Sequence, residues 1–515
     1  MRQATSEIPC NRVRRVKEVY RMRTHYLRSI LLLLFSILTA CAWSATVKVR
    51  EPLKTPDGQL VKSIYFFGHW WEPWKSDDAA LIKDLKRIKE LGFNTICVDH
   101  EVSQAIDRDW YWLDREYRAS AQEKIYILPW LQLHCMDRQS LMQFARREIK
   151  PAVNQDKEVE EGAAVFLDVE FQKALAHYIT VYLDRYVNDP AMLKIKLGKR
   201  NVPVVGLCVE TGWRNARGLP LSFDDETNNY FRKWMRATYE TIDRLNAKWQ
   251  TSYKTFDEID PCDKSIFNYA FEDKLNMPYP VRDHMVFRGR VIGRALSEVA
   301  RLVRKKYKDV LFVAEIAYPF SVDNPDANVY RWNDANCYAA VEWADVVVIR
   351  TVGNLSVGDV KKEQDMMMLN GKRLILAYRF FGDASSERAV AFAVDCAENA
   401  HGIGCYNWNE TADNSCALYD KPDRQALARL MNFTYDTLYD TALRTTAPSM
   451  QPIQSRTEST STQSRDDVSP LDHSSSNAPA ANENRESAST ETTTPSNAGT
   501  IPPAPVIPSG QMPSQ

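Results

Sequence analysis

Val204-Val205-Gly206-Leu207-Cys208-Val209-Glu210 is an apolar run that ends on a carboxylate. Side chains alternate across a strand, so Val205, Leu207 and Val209 share one face and Val204, Gly206, Cys208 and Glu210 the other. Three aliphatics on one side suit a covering layer of helices. The Gly/Cys/Glu side then lines whatever the strand encloses, with Glu210 at the C-terminal end. Seven further runs read as strands: Ile64–Phe67, Thr95–Val98, Ile125–Leu131, Leu311–Ala314, Val346–Ile349, Leu374–Ala377 and Gly402–Tyr406. Helical patterns fill the gaps. Ala79–Leu91 carries Ile82, Leu85 and Ile88 at helical spacing before Gly92, and Phe171–Val187, Thr227–Trp249, Val286–Lys306, Glu387–Ala400 and Asp423–Tyr439 follow the same period. Strands alternating with helices argue for a parallel α/β sheet, and eight strands are the number that closes a (β/α)8 TIM barrel. The rival, a doubly wound open sheet, carries a glycine-rich phosphate loop after its first strand, and none stands there.

Barrel enzymes place their chemistry at the C-terminal ends of the strands. Here the first strand runs into Trp70, Trp71 and Glu72, the second into Asp99, His100 and Glu101, and the third into Gln132 and His134. The fourth gives Glu210 and Trp213, the fifth Glu315, and the sixth Arg350. The seventh gives Tyr378, Arg379 and Asp383, and the eighth Asn407, Trp408, Asn409 and Glu410. Buried polar groups cost free energy unless paired, so this gathering marks a functional mouth. Glu210 is the candidate catalytic acid; the alternative is a salt-bridged structural Glu. Glu315 shares a face with Leu311 and Val313 and is the candidate second carboxylate. It serves equally well as the partner of Arg350 or Arg379. Glu72, Asp99, Glu410 and a Tyr378 nucleophile are further possibilities. Trp70, Trp71, Glu72, His134, Trp213, Tyr378, Trp408 and Asn409 are the candidate substrate-binding residues. The chain holds 13 Trp and 23 Tyr, and aromatic rings pack well on the apolar C–H faces of sugars.

Several blocks resemble the clan A barrel glycosidases, most closely the family 42 β-galactosidases. They are Gly68–Trp74 with Asp84–Thr95, then Val205–Glu210. Next come Phe231-Arg232-Lys233-Trp234, Tyr239, Thr241-Ile242-Asp243, Leu245-Asn246, Trp249, Tyr253 and Phe256-Asp257-Glu258-Ile259, and finally Gly402–Trp408. The resemblance implies an acid/base role for Glu210 and a place for Trp408 at the cleavage subsite. Two positions depart from the family. Val209 stands where the family has Asn before its acid/base. The seventh strand reads Leu376-Ala377-Tyr378-Arg379-Phe380-Phe381, without the family's nucleophilic Glu. Retaining glycosidases need that second carboxylate about 5–5.5 Å from the acid, and inverting ones place a base at about 6.5–9.5 Å. A barrel that binds carbohydrate without cleaving it is therefore the alternative to a glycoside hydrolase.

The ends read differently. Leu31–Leu38 is a short apolar run behind Arg23, His25 and Arg28, too short to span a bilayer. That is the pattern of a secretory signal. Leu38-Thr39-Ala40-Cys41 looks like a lipobox, which makes Cys41 a candidate lipidation site and a membrane anchor; cleavage after Ala42 is the alternative. Residues 1–45 are read as this signal, 46–445 as the single barrel domain, and 446–515 as a disordered Ser/Thr/Pro-rich tail lacking Phe, Trp, Tyr and Cys. The chain is thus expected in the bacterial cell envelope or secreted. Lys and Arg total 66 against 67 Asp and Glu, which gives no electrostatic case for nucleic acid. Ten Cys show no zinc spacing, so neither metal nor cofactor is expected.

Overall fold

The computed structural model describes residues 49–66, 77–106, 109–132, 138–208, 221–269, 278–317, 341–351, 371–380, 384–409 and 416–446. The expected export signal, with Cys41, and the tail beyond Thr446 lie outside the described residues. The chain divides into the units Met1–Ser449 and Met450–Gln515.

Eleven strands are described: β1 (Lys62–Phe66), β2 (Thr95–Glu101), β3 (Tyr126–Gln132), β4 (Pro151–Val153), β5 (Val159–Ala164), β6 (Lys194–Leu197), β7 (Arg200–Cys208), β8 (Leu311–Ala317), β9 (Val346–Thr351), β10 (Arg373–Arg379) and β11 (Gly402–Tyr406). The sheet runs β3-β2-β1-β11-β10-β9-β8-β7-β6, and β3 also pairs with β7. All pairings among β1, β2, β3, β7, β8, β9, β10 and β11 are parallel, so eight strands close into a barrel. These are the eight runs expected from the sequence. At the seam, β7 is shared. Its C-terminal half pairs with β3 through Trp130↔Gly206, while its N-terminal half carries β6 antiparallel. Gly198, at φ 60, turns β6 back onto β7. That hairpin, Lys-rich and lacking a long apolar run, is not legible in the sequence pattern, and neither is the β4–β5 hairpin.

Eight long helices follow: α1 (Asp78–Glu90), α2 (Tyr111–Glu123), α3 (Val169–Tyr186), α4 (Asp225–Tyr239), α5 (Ile242–Trp249), α6 (Tyr279–Arg304), α7 (Ser386–Asn399) and α8 (Pro422–Thr446). Side-chain caps on backbone N–H groups fix several starts: Asp77 for α1, Asp168 for α3, Asp224 for α4 and Ser385 for α7. The single pattern Thr227–Trp249 is broken in two. Glu240 takes φ 63 and Thr241 then caps α5. Helix α2 is invisible to the apolar period because its buried face includes Arg115 and Glu116. Glu116 accepts from the His100 ring, which also meets the Tyr182 hydroxyl at 2.7 Å.

The core falls into two clusters. One lies between barrel and helices and takes Ile64, Phe66, Val205, Leu207, Leu376, Tyr378, Ile403 and Cys405. The other fills the lumen with Tyr65, Cys97, Trp130, Val204, Val313, Val348, Ala377 and Tyr406. Strand alternation therefore sorts β7 as its sequence implies, with Val204 inward and Val205 and Leu207 outward.

Gly206 is required by the lumen packing. A Cβ there would lie 2.7 Å from Trp130 Cε3 and 3.1 Å from the Pro129 carbonyl oxygen. Gly206→Ala is expected to cost about 1–3 kcal/mol, the usual range for overpacking. The check is a lower urea midpoint at unchanged m-value.

His401 accepts from the Leu374 N–H through Nδ1 at 3.1 Å. Burial, then Arg50 and Arg373, lower its pKa to about 4. Folding thus favours the neutral ring, while the unfolded chain binds a proton below about pH 6.5. Its contribution is complete above about pH 6.5 and is lost as pH falls toward 4. Urea midpoints across that window should fall less steeply in His401→Gln than in the parent. Parallel slopes would assign the acid sensitivity to other groups.

Candidate active site at the C-terminal end of the barrel

The inward-facing positions near the ends of β1, β2, β8, β9, β10 and β11 are Tyr65, Asp99, Glu315, Arg350, Arg379 and Tyr406. They come together inside the barrel because each is the last inward position of its strand or the one before it. Glu315 and Arg350 form an ion pair through Oε1 and Nε, with side chains only 4% and 2% exposed. The Arg350 guanidinium lies 4.4 Å from the Tyr406 ring centroid, and that of Arg379 lies 4.7 Å from the same ring. Tyr65 stacks on Tyr406 at 4.7 Å and donates its hydroxyl to Asp99 Oδ1 at 2.5 Å. Arg379 Nη2 also reaches Cys416 Sγ at 3.8 Å. Two carboxylates and two guanidiniums thus share one aromatic floor. Burial pushes the Cys97 thiol well up, with Glu315 and Asp99 adding to the shift and a Ser63 hydrogen bond opposing it. That thiol stays protonated and is no nucleophile.

The sequence-predicted residues divide into three groups. Glu210, Trp70, Trp71, Glu72, His134 and Trp213 lie outside the described residues; Glu210 is two residues beyond the last residue of β7. Glu315 faces the lumen as expected, in the ion-paired alternative with Arg350. Three others differ from expectation. Tyr378 points outward and packs on Phe380 at 4.7 Å and on Phe392 of α7 at 4.9 Å. Alternation gives the lumen position at the end of β10 to Arg379 instead. Trp408 is 1% exposed and packs edge-on against Tyr419 in the outer cluster rather than in the lumen. Asn409 is fully buried, its carbonyl accepting from Asn407 Nδ2 at 2.6 Å. The chain leaves the β11 direction after Tyr406, and residue parity stops predicting faces there. Tyr65 and Tyr406 escaped the sequence reading because each sits within an apolar run. Their alternation with Ile64 and Cys405 was the available signal.

Several side chains of the blocks downstream of Glu210 hold helices and turns together. Asp283 Oδ2 accepts from the Tyr239 hydroxyl at 2.5 Å and from Trp249 Nε1 at 2.8 Å, tying α4 and α5 to α6. Asn246 holds the following turn, accepting from Thr251 Oγ1 and Tyr253 N–H and donating to the Tyr253 carbonyl. No group of three or more His, Cys, Asp or Glu able to hold a metal occurs among the described residues. Within them, no helix is long and apolar enough to cross a membrane.

The fold is a (β/α)8 barrel with a cluster of ionisable side chains near the C-terminal ends of its strands. Residues 215–344 match the family model of the family 42 glycoside hydrolases, described as beta-galactosidase, and the chain is related to that family. No match is found among curated protein sequences. The catalytic domain of the β-amylase from Paenibacillus polymyxa superposes with TM-score 0.51 at 14% identity, covering 73% of this chain and 98% of that one. The β-galactosidase from Marinomonas ef1 gives 0.47 at 13% identity over 75% and 60% of the two chains. A family 42 β-galactosidase from G. stearothermophilus gives 0.49 at 14% over 76% and 58%. The chain thus spans about three fifths of the length of these β-galactosidases.

The Glu315–Arg350 pair carries its own test. Removing one member of a buried ion pair leaves the other uncompensated, at a cost of about 3–5 kcal/mol, whereas an apolar replacement of both is far milder. Glu315→Leu and Arg350→Met should each lower unfolding stability by that order, and the double variant by much less than their sum. Additive losses in the cycle would show that the pair is not coupled.

Proposed function

We propose that this protein is an exported glycoside hydrolase that cleaves O-glycosidic bonds of oligo- or polysaccharides, with Glu210 as general acid. The observation that carries this reading is the convergence of Asp99, Glu315, Arg350, Arg379, Tyr65 and Tyr406 inside the barrel near the C-terminal ends of its strands. The family match beginning at residue 215 supports it. In this reading Trp70, Trp71, Glu72, His134 and Trp213, which follow barrel strands in the sequence, supply the sugar contacts. Cys41 carries a lipid that anchors the chain in the bacterial envelope.

A second reading, carbohydrate binding without cleavage, is favoured by two observations. The inward position at the end of β10 holds Arg379, and the Glu315 carboxylate is held by Arg350. Neither offers a free nucleophile to a sugar.

A panel of aryl-glycosides and natural glycans, run on the mature chain and on Glu210→Gln and Glu315→Gln, separates the readings. A general acid contributes about 10²–10⁴-fold, so Glu210→Gln should lower kcat by that order. Turnover indifferent to Glu210→Gln sinks the mechanism, and saturable sugar binding with no turnover on any substrate favours the second reading. Mass spectrometry of the native N-terminus tests the anchor; an unmodified residue after Ala42 would exclude it.

A further inference from the structure

The outer wall of the barrel carries a groove that the proposed chemistry does not use. It runs between α4 and α6 and opens toward the start of α3. One part encloses about 1020 Å³. A second part of about 370 Å³ continues it, and both are lined by Tyr230, Arg294 and Ser297. The larger part alone reaches the top of the usual range for small-molecule sites, roughly 300–1,000 Å³. Two adjoining cavities that share a wall suit a chain better than a single small molecule.

The chemistry of its walls is specific. On α4, Tyr230 and Trp234 stand one turn apart. Opposite them on α6, Arg294 and Arg290 stand one turn apart. Each guanidinium lies on a ring: Arg294 Cζ is 5.2 Å from the Tyr230 centroid and Arg290 Cζ is 5.8 Å from that of Trp234. Arg294 also donates to the Tyr230 hydroxyl at 2.8 Å. A guanidinium beside an aromatic ring has fewer conformations open to it, and the N–H groups that the ring and the Tyr230 hydroxyl do not take remain to bind an oxyanion. The other charges of the lining are mostly spent. Glu226 pairs with Lys150 at 3.0 Å and Glu298 pairs with Arg301 at 2.5 Å. Arg290, Arg294 and Lys233 have no carboxylate within ion-pair distance among the described residues, against the single carboxylate of Glu342. This local excess of positive charge sits on a chain whose net charge is −1. Val169, 58% exposed, adds an apolar edge.

We propose that this groove is a second carbohydrate site, distinct from the barrel mouth, that binds an acidic polysaccharide. Arg290 and Arg294 each take one carboxylate or sulfate group, Lys233 adds a third cation, and sugar rings lie along the aromatic and aliphatic wall. The two Arg–aromatic pairs repeat every four residues of helix, about 6 Å at 1.5 Å per residue. A polymer charged on each sugar presents anions at a comparable repeat, which a lone phosphate or carboxylate cannot match. The groove's lining shares no residue with the lumen cluster of Asp99, Glu315, Arg350 and Arg379, so it would retain polymer whether or not the barrel cleaves it.

Affinity electrophoresis of the full mature chain in gels containing polygalacturonate, dextran sulfate or neutral dextran tests this. Polygalacturonate or dextran sulfate should retard the protein, while dextran should not. Arg290→Ala/Arg294→Ala should weaken retardation about tenfold or more, because two charge-assisted contacts are lost. Arg290→Lys/Arg294→Lys should fall between, keeping charge but losing the planar fork. Lys305→Ala/Lys308→Ala removes the same charge from two exposed positions beyond α6 and should bind like the parent. Glu210→Gln should also bind like the parent, which separates this site from the catalytic reading. The proposal is overturned if the parent is not retarded, or if dextran retards it equally. Unchanged binding by the double alanine variant overturns it too, as does equal loss in the Lys305/Lys308 control. Preferential capture by anionic phospholipid vesicles, lost in the double alanine variant, would overturn it in favour of a membrane surface.

Discussion

The closure of the sheet between β3 and β7 is the constraint on which the remaining structure depends. A single parallel register, Trp130 against Gly206, turns an open sheet into a barrel. Only glycine leaves room there, because the Trp130 indole occupies the space where a Cβ would stand. Once the seam is closed, the two faces of every strand acquire different environments. One meets helices and the other meets the opposite strands. Every later feature, from the apolar outer cluster to the charged lumen, follows from that division.

The lumen shows how a barrel accommodates charge. Four ionisable side chains are buried around two tyrosines, and burial of charge is expensive unless each group is paired or hydrogen-bonded. Glu315 meets Arg350, Asp99 receives the Tyr65 hydroxyl, and both guanidiniums lie on Tyr406. The arrangement is a balanced cluster, with carboxylates and guanidiniums in equal number. Arg379, at the inward end of the seventh barrel strand, shares the Tyr406 ring with Arg350.

Much of this was legible in the sequence. Eight apolar runs gave the eight barrel strands, and alternation in Val204–Glu210 gave the correct faces for Val204, Val205 and Leu207. The strand-end position of Glu315 was legible too, and so was Arg350 as one of its two possible partners. Other features were not. Helix α2 hides its buried face behind Arg115 and Glu116, whose burial only the packed neighbours permit. Tyr378 read as a site residue because it stood at a strand end. The odd–even parity of β10, anchored by pairing with β9 and β11, sends it outward.

The sequence by itself determined the barrel, because strand and helix periods and the order of elements are local properties written along the chain. It also determined which positions carry chemistry-bearing residue types at strand ends. Only the tertiary structure decided the partners. Glu315 meets Arg350, Tyr406 lies beneath two guanidiniums, and Trp408 is buried in the outer layer, all through contacts between strands and loops distant in sequence. Such contacts depend on register and closure, and an ion pair between buried groups has no local signature because its strength comes from the low-dielectric interior that the closed barrel creates.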